Sequence, residues 1–159
     1  MNQDVEVYSY YIRKQITSIR DALEGLTEEQ LNWKTGLPDG NSGFQIATHV
    51  CGNARAWILG IVCGQDVARD RPSEFAARGS QADLAAAVDR INSDIERGLE
   101  SYDASDLDVK FKPRQLLWGA GEVQEITKRI ALADVLEHAS MHFGHVQLTR
   151  DLALKDGPK

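Results

Sequence analysis

The stretch "EHASMHFGH", residues 137 to 145, places His138, His142 and His145 within eight positions of a chain that has only four histidines. Imidazole nitrogens ligate divalent ions and exchange protons near neutral pH, so this spacing points to a metal centre or to acid–base chemistry. On a helix, residues four apart have Cβ atoms about 6 Å from each other, which lets His138 and His142 reach one ion with contacts of ~2.1 Å. A third ligand must come from another helix, and the remaining histidine is His49. The alternative is a set of core histidines, each hydrogen-bonded to a carboxylate or carbonyl. His145, one turn beyond His142, is the candidate acid–base or substrate-orienting residue; it is equally readable as a fourth ligand or a core histidine bonded to a carbonyl. Asp134, four residues before His138, and Asn53, four after His49, are candidates to fix the ligand tautomers through the second ring nitrogen, or are ordinary helix polar residues.

Direction comes from the helical wheel. Glu137, Ser140, Gln147, Asp151 and Lys155 form the consistently polar strip of the last helix, and the three histidines cluster about 140° from its centre. They are therefore expected to face the interior. On the helix that carries His49, the core face is Ile46, Val50, Trp57 and Ile61; His49 sits at its edge with Asn53, Ala56 and Gly60, small residues that leave room beside the ring. Three neutral histidines from two helices, with one position open, form the donor set of a catalytic metal site.

Four long helices are needed to hold such a set. Val5, Tyr8, Ile12, Ile16, Ile19, Leu23 and Leu26 recur every three or four residues and predict the first. "TEEQ" at 27 to 30 has capping-box form and opens a short helix, ended by "GLPDGNSG" at 36 to 43. Ser42 and Gln45 repeat the device and start the second long helix, through about Cys63. Ser80 and Asp83 cap a third, with the stripe Leu84, Val88, Ile91, Ile95, Leu99 and Tyr102. Residues 103 to 130 are less regular, and "LLWGAGEV" there is compatible with a small hairpin. The fourth runs from about Ala131 to Leu154. The expected fold is an all-α four-helix bundle, as a single domain over residues 1–159.

Several functions are excluded. A net charge of -6 and a pI near 5.2 disfavour nucleic acid and anionic membranes as partners. The longest apolar run, "AWILGIVCG" at 56 to 64, is far below the ~20 residues of a membrane span, and the acidic amino terminus lacks the form of a secretory signal, so a cytoplasmic protein is expected. Cys51 and Cys63, twelve residues apart on one helix, read as reduced packed thiols. Arg69 and Arg71 could meet an anionic substrate or belong to an exposed charged loop. Glu137 falls on the solvent strip, and there is neither a zincin motif nor a phosphate-binding glycine loop.

A histidine early in the second helix, in "IATHVCGNARAWILGIVCGQDVARDRPSEF" at 46 to 75, combines with H-x-x-x-H in "ADVLEHASMHFGHVQLTRDL" at 133 to 152 and with "LTEEQLNW" at 26 to 33. In order and spacing these resemble the DinB/YfiT-like superfamily over nearly the whole chain. The resemblance implies a bundle in up-down-down-up order, often a homodimer, with one divalent metal ion such as zinc or nickel on His49, His138 and His142. It also implies transfer of a low-molecular-weight thiol cosubstrate, such as bacillithiol or mycothiol, to a small-molecule electrophile, or thiol-dependent isomerisation. The alternative is a non-catalytic metal-binding or stress-associated dimer. The chain departs from the commonest pattern at His145, where glutamine is usual, and at Phe143, where arginine is frequent.

Overall fold

The computed structural model describes residues 2–159. Helix α1 (Gln3–Leu23) begins where the Asn2 side chain accepts from the amides of Asp4 and Val5, and it buries the expected stripe Val5, Ile12, Ile16, Ile19 and Leu23. Thr27 and Gln30 close the first capping box over α2 (Glu28–Leu31). Ser42 and Gln45 close the second over α3 (Gly43–Ala54). α4 (Arg71–Glu74) is a single turn. The box formed by Ser80 and Asp83 starts α5 (Gln81–Glu100), and α6 (Gln115–Trp118) is again one turn. The longest helix is α7 (Lys128–Asp156), capped by Thr127 three residues before the expected start.

Ion pairs and hydrogen bonds between helices give their directions. Asp4 meets Arg129 at 2.7 Å, so the amino-terminal ends of α1 and α7 lie together and the two run parallel. Arg20 meets Asp89, and Arg13 meets Glu96, so α5 is antiparallel to α1. Gly43 lies against Leu23, which starts α3 at the end of α1 and sends it down the bundle as well. The order is up-down-down-up. α3 and α5 are then parallel neighbours, and the connection between them must climb the bundle's full length, carrying α4 as it goes.

Two local expectations change. The second long helix is α-helical only to Ala54; Arg55–Val62 adopts π geometry, seen in the bond from the Cys63 amide to the Ile58 carbonyl at 2.8 Å. A wheel drawn at 100° per residue therefore mis-aims everything beyond Ala54. Gly60, expected to leave space near His49, is packed instead under Leu117, whose Cδ1 would stand 2.9 Å from a Cβ at that position. The hairpin expected at "LLWGAGEV" is absent among the described residues. Its leucines form α6, and the segment is closed by one antiparallel bridge between Phe111 and Ile126, because Gly119 and Gly121, both at positive φ, turn the chain without strands to flank them. No helix of the described residues is long and apolar enough to cross a membrane.

Candidate metal centre

The site is built where α3, α4 and α7 meet. His49 comes from the second turn of α3, and Gln45 of the capping box one turn earlier also donates from Nε2 to the Phe75 carbonyl at 2.6 Å, tying the climbing connection to α3. That tie holds Glu74 beside His49. The Glu74 carboxylate lies 2.7 Å from His49 Nδ1, and both side chains are only 7% exposed. Arg69, 5% exposed, donates to Glu74 from Nε at 2.8 Å and from a terminal nitrogen at 3.1 Å. Gly52, one turn from His49 on α3, supplies the room: a Cβ there would stand 2.7 Å from the Glu74 Cδ.

Burial alone would raise the Glu74 pKa, but hydrogen bonds from His49 and Arg69 outweigh it and hold the carboxyl below its ordinary value. An ionised Glu74 accepts the Nδ1–H of His49, so in the neutral ring it is Nε2 that carries the lone pair. That nitrogen faces His138 Nε2 at 3.1 Å.

On α7, His138 and His142 lie one turn apart and meet edge to face, with ring centroids at 4.5 Å, and the His142 ring lies 5.2 Å from that of His49. Burial, reinforced by the neighbouring histidines, drives His138 down to about 3 and His142 down to about 4, so both are neutral at pH 7. His138 Nδ1 is buried with no hydrogen-bond partner.

Three candidate residues stand outside the cluster of ligands. His145 is exposed and stands beside the cluster, with its Nδ1 at 3.4 Å from His142 Nδ1, which excludes the core-histidine reading. It has the azimuth the wheel gave but lies too far along α7: the antiparallel α3 begins at Gly43, so beyond His142 the histidine face emerges from the bundle. Asp134 is exposed and leaves His138 Nδ1 unpartnered. Asn53 makes no bond to His49 among the described residues, because the Nδ1 edge of that ring is turned to Glu74. Of the two readings open for each, tautomer-fixing partner or ordinary helix polar residue, their positions agree with the second. The residue that fixes the tautomer of His49, Glu74, was missed, along with Arg69 in its buried role. The available signal was a carboxylate and an arginine five residues apart in an otherwise aperiodic connection. Cys51 is a free thiol, and burial pushes it up to about 12, in keeping with a packed rather than reactive group.

One nitrogen each from His49, His138 and His142 lies within 4.8 Å of the others. The fit to a divalent ion is direct. Two nitrogens bound at ~2.1 Å with tetrahedral angles stand ~3.4 Å apart, close to the 3.1 Å between His49 and His138, and His138 and His142 are neutral imidazoles at pH 7. A cleft of about 620 Å³ opens over them, walled by Leu37, Pro38, Ile46, Phe75, Met141 and Leu152, with His145 at its edge.

The family model that matches this chain, over residues 8–154, is described as mycothiol-S-transferase. The chain belongs to that family. It lies within the DinB/YfiT-like superfamily that the histidine pattern resembles, and the name carries the thiol-transfer class expected from the sequence. No curated protein matches the sequence.

Proposed function

We propose that the protein is a metal-dependent thiol transferase of the cytoplasm, which joins a low-molecular-weight thiol of the mycothiol type to a small electrophile. The observation that carries this is the convergence of three imidazole nitrogens on one point at the floor of an open cleft. His49, His138 and His142 would hold a divalent ion, zinc or nickel by donor type. When bound there, the ion would keep the thiol sulfur as thiolate near neutral pH.

The rest is the work of this chain's own side chains. Glu74 and Arg69 keep the His49 lone pair pointed at the shared position, so no rotation is needed when the site fills. The apolar walls exclude water from the attacking sulfur and hold the carbon it attacks. In transfer, a sulfur–carbon bond forms as the displaced group leaves with its bonding pair, and the thiol proton passes to a base. His145, exposed at the edge of the cleft and next to His142, is our candidate for that base. Three ligands with an open side favour this reading over a purely structural ion, which would be closed by a fourth. Val7, Tyr10 and Tyr11 on α1 are exposed, and with Ile130 at the start of the parallel α7 they support a homodimer.

The test is elemental analysis followed by turnover. Protein purified without chelator is expected to carry about one divalent ion per chain and to conjugate mycothiol to 1-chloro-2,4-dinitrobenzene, releasing chloride; His142→Ala should lose both. A fully loaded protein that leaves a broad thiol-plus-electrophile panel unchanged would overturn the reading.

A further inference from the structure

The connection that climbs between α3 and α5 carries two arginines two residues apart, and they have opposite surroundings. Arg69 is buried and doubly bonded to Glu74. Arg71 is exposed and lines the cleft, and among the described residues no carboxylate lies within ion-pair distance of it. It is not adrift, however. Its guanidinium lies over the ring of Phe75 at 5.3 Å, and that ring packs on His49 at 4.7 Å between centroids. One aromatic ring therefore separates the cation from the metal position.

The lining includes, besides the histidines, two ionisable side chains, Arg71 and Asp39, the latter on the 35–41 loop. We propose that Arg71 is a substrate-anchoring residue, and that the electrophile is a small, mostly apolar molecule bearing a carboxylate. Resting on the thiol-transfer reading, this names the substrate class for the same cleft. A guanidinium held over an aromatic face by a cation–π contact, with no carboxylate partner, keeps N–H donors available to grip a carboxylate with two bonds. The apolar walls suit the remainder of such a molecule. The anchor lies to one side of the three histidines, so a molecule held by its carboxylate places its far end near the reacting sulfur.

The test measures binding, separately from turnover. Zinc-loaded full-length protein is titrated calorimetrically with 3-nitrobenzoate and with 3-nitrobenzamide, unreactive probes of one shape that differ in charge. The expected result is a preference of roughly tenfold for the acid. The acid-to-amide ratio should fall to about one in Arg71→Ala and recover in part in Arg71→Lys, with zinc stoichiometry and helix content checked in each variant. A ratio near one in the parent protein overturns the proposal. So does a preference that survives Arg71→Ala, which would put the carboxylate on the metal or elsewhere. If the acid preference depends on Arg71 but mycothiol is never transferred, the anchor stands and the thiol-transfer reading falls; transfer with no acid preference does the reverse.

Discussion

His49 and His138 face each other across 3.1 Å, yet the two sides of the site are built on different terms. The α3 side is locked: His49 is held by Glu74, and Glu74 by Arg69, in a chain of nearly solvent-free side chains. The α7 side is bare, since His138 Nδ1 is buried without any partner. One half has its polar groups satisfied with no ligand present. The other carries an unmet polar group on the far edge of the ring from His49, which destabilises the fold.

The largest effect should come from breaking the locked half. Arg69→Leu leaves Glu74 buried with only His49 for company, and we expect a loss of about 3–5 kcal/mol in urea unfolding. Arg69→Lys should retain part of this, because it restores charge without the two-pronged geometry. Next comes Glu74→Gln. The amide oxygen can still accept from His49, but the negative charge is gone, so metal affinity should drop roughly 10–100-fold while the helix content is kept. A titration in which Glu74→Gln binds zinc as tightly as the parent would remove the asymmetry between the halves.

The pH dependence of the metal-free protein should come mainly from the bare half. His138 and His142 have folded-state values near 3 and 4, below the ordinary 6.5, so between those limits the unfolded chain takes up protons that the folded one refuses. Stability is then complete above about pH 6.5 and lost progressively as pH falls toward 4, with Glu74, also depressed, adding to the loss below its ordinary range. Urea midpoints measured at pH 8, 6 and 5 should fall in that order, and less steeply in His138→Leu. The smallest effect is the stability change of His138→Leu at pH 8. Removing an unpartnered polar group in favour of an apolar one should be neutral or stabilising by up to about 1 kcal/mol in the metal-free protein, while zinc binding is abolished.

The same asymmetry explains what could be read from the residues alone. The bundle was legible because each long helix has an apolar stripe of helical period, and because Thr27–Gln30, Ser42–Gln45 and Ser80–Asp83 are local, self-contained start signals. The facing of His138 and His142 was legible for the same reason. What a wheel supplies is azimuth; how far along the helix its neighbours extend belongs to tertiary structure, and His145 was misjudged there. Glu74 left only a faint trace in the sequence, a carboxylate five residues after an arginine. It comes from a four-residue helix in an aperiodic connection, and only the climb between parallel α3 and α5 brings it to His49. The π geometry from Arg55 was equally hidden, and it is why Gly60 turned out to be filled by Leu117.

That climbing connection has a consequence for how such a site can diversify. In a simple up-and-down bundle every inter-helix link is a short turn at an end, and side chains reaching the middle must come from the helices, where each also carries the core. Here a stretch outside the four-helix frame passes the reactive point and contributes Arg69, Arg71 and Glu74 to it. Exchanging that stretch would change the anchor, and with it the substrates accepted, while the frame and its three histidines stay as they are. The chain thus separates a conserved-use scaffold from an interchangeable cassette.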